Sequence, residues 1–214
     1  MDLKFVLPHL ISGYIPVTAA LALYFLALRL MGKKQSAPRI VASYVFCLYL
    51  VGILTVTGIC FPGAFSPRIV YIPFVDMIRG PTDTLLNVLL FVPLGIFLPA
   101  LYKNYHRIGK VALAGLLISA SVEAAQLFGS GATDINDLIT NTIGTCLGFG
   151  IYRILHRAVP KAWIRRIRTG RPQFYYELPL FWTGSAGIML TVQVWIFRAL
   201  FAAHTMGGEI QIWQ

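Results

Sequence analysis

Charge is scarce in this chain. Only 12% of its 214 residues are charged, whereas 57% are hydrophobic and the mean hydropathy is +0.71. An ordinary soluble domain carries about 25% charged residues. The composition therefore excludes a soluble globular domain and predicts an all-α, polytopic transmembrane helical bundle. Because apolar segments run through the whole length, we expect residues 1–214 to form a single membrane domain.

Cysteine and the common catalytic motifs are also missing or sparse. The chain has three cysteines, each within or beside an apolar segment, and no paired Cys-His spacing. We expect these cysteines to be small packing residues and no zinc site to be present. The four histidines, His9, His106, His156 and His204, lie near the ends of apolar segments without ligand or triad spacing. No G-x-S-x-G, H-E-x-x-H or phosphate-binding glycine-rich motif occurs.

Positive charge is the exception to this scarcity, since the formal net charge is +10. In a soluble protein this balance would suggest nucleic acid. Here the Lys and Arg residues flank apolar runs, so they predict membrane topology and contact with anionic lipid headgroups instead. We expect a lipid bilayer as partner and no nucleic acid.

Six segments are long and apolar enough to cross a bilayer, which takes roughly 20 residues in a helix. The stretch Ile69–Ile78 is apolar but too short to span, so it would lie at the interface or re-enter the membrane. The predicted spans are Tyr14–Met31, Ala42–Phe61, Thr84–Leu101, Gly109–Phe128, Ile135–Leu155 and Leu178–Ala203.

The basic residues predict the orientation, because cytoplasmic loops carry the excess of Lys and Arg. The loops after the first, third and fifth spans hold 14 of the 18 basic residues, so these loops and the basic interfacial segment 156–176 are predicted to be cytoplasmic. Both termini are then outside. On this topology Glu177 is the only acid on the inner side.

Seven polar residues gather at span ends on the predicted outer side. Helical spacing places Asp83 with Asn87 (i, i+4) and Glu123 with Gln126 (i, i+3) on common faces, and it does the same for the i, i+3, i+7 set Asp134, Asp137 and Asn141. Ionisable groups in membrane spans are costly and are therefore functional candidates. We predict one acid-amide cluster: Asp83, Asn87, Glu123, Gln126, Asp134, Asp137 and Asn141.

Several chemistries and several structural roles fit this cluster. Carboxylates with amides suit a hard cation such as Mg²⁺ or Ca²⁺, hydrogen bonds to sugar hydroxyls, or a general acid and base pair. Four neighbouring acids cannot all stay ionised without a cation, an Arg partner or raised pKa values. Structurally, Asp134 and Asp83 can cap helices, and Asn87 and Asn141 can bond between helices. Capping does not explain Glu123 at the end of a span.

Glycine and proline mark the packing of the third and fifth spans. Gly144 and Gly148 form a G-x-x-x-G pattern, which predicts close packing of the fifth span. Pro93 and Gly95 are expected to kink or loosen the third span.

Two stretches of the sequence place the polar residues of the cluster within recurring motifs. The first contains Y-I-P-F from Tyr71 and D-T-L-L-N-V-L-L-F-V-P-L-G from Asp83. The second contains S-V-E-A-A-Q-L-F from Ser121 and T-D-I-N-D-L-I-T-N-T-I-G from Thr133. In order and spacing these motifs resemble the VanZ-like membrane proteins, a family associated with teicoplanin resistance. The resemblance covers a core of about residues 71–152.

This resemblance implies a multi-pass protein of the bacterial cytoplasmic membrane whose recurring polar residues correspond to Asn87, Glu123, Gln126, Asp134, Asp137 and Asn141. Many members carry an Arg three residues before the first aspartate of the second motif, where this chain has Gly131. That Arg would neutralise the acids. Its replacement favours a bound cation, a protonated carboxyl, or another Arg such as Arg68 or Arg79.

Three functions follow from these observations. The first is an envelope protein whose outward cluster engages a glycopeptide or a cell-wall component. The second is an intramembrane enzyme acting on a lipid-linked sugar or phosphate substrate, with Glu123 and Asp137 as acid and base and with Mg²⁺ as a candidate cofactor. The third is a proton- or cation-coupled transporter, which requires polar residues to continue inward from Glu123.

Overall fold

The computed structural model describes residues 3–59, 69–70, 80–127, 133–169 and 176–205. It contains six helices that are long and apolar enough to cross a membrane, which confirms the predicted helical bundle. We number the helices in chain order: α1 Leu3–Leu30, α2 Ala37–Val56, α3 Pro81–Leu101, α4 Ile108–Gln126, α5 Ile135–Ala158, the short α6 Lys161–Ile167, and α7 Glu177–Thr205. A 3₁₀ turn, Lys103–Tyr105, follows α3.

The first helix is longer than the predicted span, which began at Tyr14. The additional N-terminal turns carry polar residues, His9 and Ser12, which are buried against α7. Gln193 of α7 donates to Ser12 Oγ (3.0 Å) and lies 2.9 Å from His9 Nδ1, and His9 stacks on Phe197. Interhelical hydrogen bonds thus allow polar groups inside the bundle.

Two short strands, β1 Ile69–Val70 and β2 Thr133–Asp134, pair in parallel with Ile69 opposite Thr133. They are the only strands within the described ranges. Residues 71–78 of the apolar stretch that we expected at the interface lie outside the described residues, as do Arg68, Arg79 and Gly131. The pairing brings the chain before α3 next to the start of α5.

Helices α3 and α5 meet along a line of glycines. A Cβ atom on Gly148 would lie 1.9 Å from Val92 O, one on Gly144 would lie 2.2 Å from Val88 O, and one on Gly95 would lie 1.9 Å from Thr145 O. No side chain fits at these separations, so the two backbones are in direct contact. This confirms the packing predicted from the G-x-x-x-G pattern.

Pro93 lies within α3, which runs as one helix from Pro81 to Leu101. The predicted kink or loosening at this residue stays a prediction. Pro93 has no N–H to donate within the helix. Next to Pro93, the hydroxyl of Tyr49 in α2 donates to Leu90 O (2.8 Å) and accepts from Leu94 N (3.2 Å). Leu90 O and Leu94 N would pair with each other in a regular helix. The Tyr49 hydroxyl therefore sits within the hydrogen-bond ladder of α3 and links it to α2.

The bundle has two polar ends. The end where α3 and α5 begin and α4 ends carries the predicted acids, and we call it the acid end. The opposite end, where α2, α4 and α7 begin and α3 and α5 end, carries most of the basic residues, and we call it the basic end. The charge count predicts that the basic end is cytoplasmic.

A buried ion pair joins the helices at the basic end. Arg39 of α2 pairs with Glu177 at the start of α7, and both side chains are only 3% exposed. Arg39 also donates to Leu101 O (2.8 Å) and Ile167 O (3.0 Å), and Tyr24 of α1 donates to Glu177 (2.7 Å). Both charges are thus hydrogen-bonded, as buried ions must be. The pair ties α1, α2, α3, α6 and α7 together.

The short helix α6 lies within the segment 156–176, for which we predicted an interfacial element. Ile167 packs against the core, whereas Trp163 is 58% exposed. Thr169, just after α6, donates to Leu101 O (2.8 Å) and accepts from Lys103 N (2.9 Å). The residue after α6 is therefore hydrogen-bonded to the end of α3. The proposed contact of the segment with lipid stays a prediction.

Gly148→Ala should destabilise the protein by about 2–3 kcal/mol, because the added methyl group must push α3 away from α5. Gly150→Ala in the same helix is the matched control, since a Cβ there meets nothing within 4 Å. The control should be neutral or stabilising by up to about 1 kcal/mol, the helix preference of Ala over Gly. Thermal unfolding of the purified proteins in detergent measures both. Equal effects would contradict the described contact.

Tyr49→Phe should cost about 1–3 kcal/mol, because Leu90 O and Leu94 N lose their partner in an apolar environment. Tyr44→Phe serves as the control, since its hydroxyl makes only a longer bond of 3.4 Å to Thr18 O. The same unfolding measurement applies. A Tyr49 variant as stable as the Tyr44 variant would show that the hydroxyl does not support α3.

Candidate functional site

The acid end brings together carboxylates from three helices. Glu123 lies in the last turn of α4 and is 3% exposed. It is close enough to Asp134 and Asp137 to interact with both electrostatically, and Asp137 interacts in the same way with Asp83 of α3. The predicted grouping of these four acids at one end of the bundle is therefore what the fold produces.

Glu123 holds the turn that precedes α5. Its Oε2 accepts a hydrogen bond from the backbone N–H of Asp134 at 2.8 Å. Asp134 belongs to β2, so this bond also fixes the strand pair β1–β2 against α4. Glu123, whose position helix capping could not explain from the sequence, thus accepts a hydrogen bond from the backbone of β2. A carboxylate is a strong acceptor for such a group.

Asp134 is the N-cap of α5, which is the structural role that we considered for it in the sequence. Its Oδ1 accepts from the backbone N–H of Asn136 and from the Asn136 side chain, both at 2.8 Å. Capping by Asp satisfies a free N–H and favours the helix dipole. Asp83, by contrast, is not a cap, because α3 begins after Gly80 and has no side-chain cap. It is an exposed residue of the first turn.

The two asparagines bond between helices, which confirms the structural role that we considered for them. Asn87 of α3 donates to Asp137 Oδ1 of α5 at 2.5 Å. Asn141 of α5 donates to Ser119 Oγ of α4 at 2.9 Å. The first bond lies at the mouth of the acid end, and the second lies one turn deeper. The first bond joins α3 and α5, which the glycine contacts already hold close, and the second joins α5 to α4.

Two amide oxygens in this region have no hydrogen-bond donor among the described residues: Asn141 Oδ1 and Gln126 Oε1. Gln126 uses its amide nitrogen to donate to Thr57 O at the end of α2 (3.1 Å). Buried polar atoms are normally paired. The acid end thus combines carboxylates with amide acceptors that can still receive a hydrogen bond.

The helices around the cluster supply no positive charge. Neither residues 80–101 nor residues 111–152 contain a Lys or Arg. Among the described residues, no group of three or more His, Cys, Asp or Glu side chains is placed to hold a metal ion. What the described side chains offer is a concentration of acceptors suited to ligands with N–H and O–H groups.

Sequence reasoning missed several residues of this region. Ser119, Thr140 and Thr145 are buried beside the cluster, and Asn136 shares the Asp134 carboxylate. Asn136 could have been found from its position two residues after a capping Asp, where Asx turns occur. Ser119 and the threonines carry no such signal, because single hydroxyl residues are common in membrane helices.

Comparisons with known proteins agree with the resemblance seen in the sequence. The VanZ/LLP1 family profile matches residues 19–156, which include the core of residues 71–152. Protein VanZ from Enterococcus faecium is 35% identical over 82 residues, which are 38% of this chain and 50% of that protein. The chain thus spans about half the length of this curated relative. No solved structure matches the chain.

The profile match extends beyond the predicted core on its N-terminal side, because it includes the C-terminal part of α1 and all of α2. Within α2, Tyr49 supports α3 and Arg39 supports the basic end. Thr57, just after α2, accepts the hydrogen bond from Gln126. More than half of the chain, including every residue of the acid end, lies within the match. The chain therefore belongs to the VanZ/LLP1 family of proteins, as a multi-pass membrane member with six candidate spans.

Proposed function

We propose that this protein acts at the bacterial cell envelope and lowers susceptibility to a glycopeptide antibiotic of the teicoplanin type. Membership of the VanZ/LLP1 family and similarity to Protein VanZ support the setting. The observation that carries the proposal is the acid end, where acids and amides of three helices meet. The charge count predicts that this end faces outward, where a glycopeptide or a cell-wall component would be.

The ligand chemistry follows from the donor and acceptor inventory. Carboxylates accept hydrogen bonds only, and the free atoms of Asn141 and Gln126 are also acceptors. Glycopeptides and cell-wall peptides are rich in N–H and O–H donors, and several carry ammonium groups. Asp83 is exposed at the mouth of the cluster, so it is placed for the first contact with such a ligand.

Pairing within the cluster favours binding over catalysis. An intramembrane enzyme would need Glu123 and Asp137 to exchange protons with a substrate. Glu123 instead accepts from a backbone N–H, Asp137 accepts from Asn87, and Asp134 is a helix cap. Groups held in structural hydrogen bonds are poor general acids and bases unless those bonds break. We therefore place the enzyme acting on a lipid-linked substrate second.

A transporter would need the polar residues to continue inward from Glu123. Ser119, Asn141 and Thr145 do form a buried polar row below it. The row ends there, since the residues that follow on the same faces are Gly148 and Phe149 of α5 and Gly115 of α4. Nothing on these faces could carry a cation or a proton to the basic end. The arrangement argues against coupled transport.

Expression in a teicoplanin-sensitive Gram-positive host should raise the minimum inhibitory concentration of teicoplanin. The double variant Glu123→Gln with Asp137→Asn should abolish this rise and should weaken teicoplanin binding to the purified protein about tenfold or more, since bonds to charged groups contribute about 1.5–3 kcal/mol each. No rise with the wild-type protein, or an unchanged rise with the double variant, would refute the proposal.

Asp83→Asn separates binding from folding. Asp83 is exposed and caps no helix, so its substitution should leave the melting temperature unchanged. If the acid end binds the ligand directly, this variant should still reduce the teicoplanin effect. Gly150→Ala, at an open position far along α5, is the control that should keep it. Membrane abundance of each variant is measured by immunoblotting. If the Asp83→Asn variant raised the minimum inhibitory concentration of teicoplanin as much as the wild-type protein does, direct binding at this end would be contradicted.

A further inference from the structure

The basic end contains a cavity of about 550 Å³ between the end of α5, the loop before α4 and the residue after α6. Among the described residues its lining is dominated by cationic and aromatic side chains and includes no acid. The residues are His106, Phe149, Tyr152, Arg153, His156, Arg157 and Arg168. We call this cavity the basic pocket. It lies at the end of the bundle opposite the acid-amide cluster.

Arg168 is fixed across the pocket by two partners. Its Nη2 donates to the Tyr152 hydroxyl, and its Nη1 lies 3.2 Å from His106 Nε2. The guanidinium also lies over the Tyr152 ring, 5.8 Å from the centroid. These contacts orient the planar fork of Arg168 before any ligand arrives. Pre-organisation of this kind reduces the entropy lost on binding.

The Nε–H group of this oriented guanidinium has no partner among the described residues. Arg168 Nε is also buried. Leaving a charged donor buried and unpaired is unfavourable. Arg153 and Arg157, one turn apart on α5, are largely exposed and place two further guanidinium groups at the pocket rim. The pocket thus offers several donors and positive charge to one acceptor.

Burial and the neighbouring cations also act on His106. Burial lowers the pKa of His106, and the neighbouring Arg168, His156 and Lys103 lower it further. A neutral His106 ring can then accept from Arg168. Elsewhere at the basic end the one described acid, Glu177, is already paired with Arg39. No described carboxylate is therefore available to neutralise the pocket.

We infer that the basic pocket binds a phosphoryl group, with the headgroup of an anionic phospholipid as its source. Three Arg side chains converge there, and the guanidinium fork matches the oxygens of a phosphate in pairs. Basic pockets between transmembrane helices are known to suit anionic headgroups. The volume exceeds that of a phosphate ion alone and leaves room for the glycerol part of a headgroup.

The neighbouring surface favours a lipid over a soluble phosphate. Ile151, Ile154 and Leu155 of α5 are exposed large apolar residues that alternate with Arg153 and Arg157 along the same helix end. Acyl chains can lie against these residues while the phosphate enters the pocket. A soluble phosphate would make no use of this apolar surface.

The test compares two double variants that remove the same charge. Arg153→Gln with Arg157→Gln removes two guanidinium groups from the pocket. Arg165→Gln with Arg166→Gln removes two exposed guanidinium groups from α6, outside the pocket. Retention of phosphatidylglycerol by the detergent-purified protein is measured by native mass spectrometry, with zwitterionic phosphatidylcholine as the reference lipid. Binding of inorganic pyrophosphate is measured by calorimetry.

The wild-type protein should retain phosphatidylglycerol over phosphatidylcholine. The pocket variant should weaken this retention about tenfold, and the α6 variant should change it less than about twofold. Tight pyrophosphate binding with the same dependence, but no lipid preference, would support the phosphoryl site and assign it to a soluble ligand. Equal losses in the two variants would show general surface attraction and overturn the inference. Binding of neither probe would overturn it as well.

Discussion

The contact between the backbones of α3 and α5 is the constraint on which the other features depend. Gly95, Gly144 and Gly148 remove the side chains that would hold these helices apart. The closeness has a consequence at each end of the pair. At the acid end it lets the short side chain of Asn87 reach Asp137. At the basic end, Thr169 is hydrogen-bonded to Leu101 and Lys103 at the end of α3. The closeness of α3 and α5 lets the neighbouring Arg168 reach Tyr152 of α5. Without hydrophobic attraction between helices in lipid, such close packing and the hydrogen bonds it allows supply the association energy.

Close packing stabilises the middle of the bundle, and polar networks stabilise its ends. The Tyr49 hydroxyl bonds to Leu90 O and Leu94 N next to Pro93, and the Arg39–Glu177 pair ties five helices at the basic end. Each of these polar side chains lies inside the protein and bonds to another helix. This pattern is the general solution for polar atoms in a bilayer, where water cannot serve as the partner.

The sequence was sufficient for the spans, the glycine contact and the grouping of acids, because each depends on a periodic or compositional signal. Hydropathy found six spans, and helical spacing placed Asp83, Glu123, Asp134 and Asp137 at one end. Pairings between distant elements could not be predicted. Arg39 was used only in the charge count that predicted the topology, whereas the structure pairs it with Glu177. Glu177 was the sole acid on the predicted inner side, and this was the one signal in the sequence that a basic residue nearby could pair with it. His106 and His156 looked scattered in sequence, yet the loop before α4 and the end of α5 bring them to one cavity.

The segregation of charge along the bundle follows from these pairings. Residues 111–152 contain no Lys or Arg, so the acids at one end receive no cation from the helices that carry them. At the other end, Arg39 pairs with one carboxylate oxygen of Glu177, and Tyr24 donates to the other. Among the described residues, the basic pocket therefore has no carboxylate partner, and the acids of the cluster have no Lys or Arg partner. Gly148 and Phe149 of α5 and Gly115 of α4 lie between the two ends along these helices. The two sites that we propose thus lie at opposite ends of one bundle, and each is proposed to bind a partner of opposite charge.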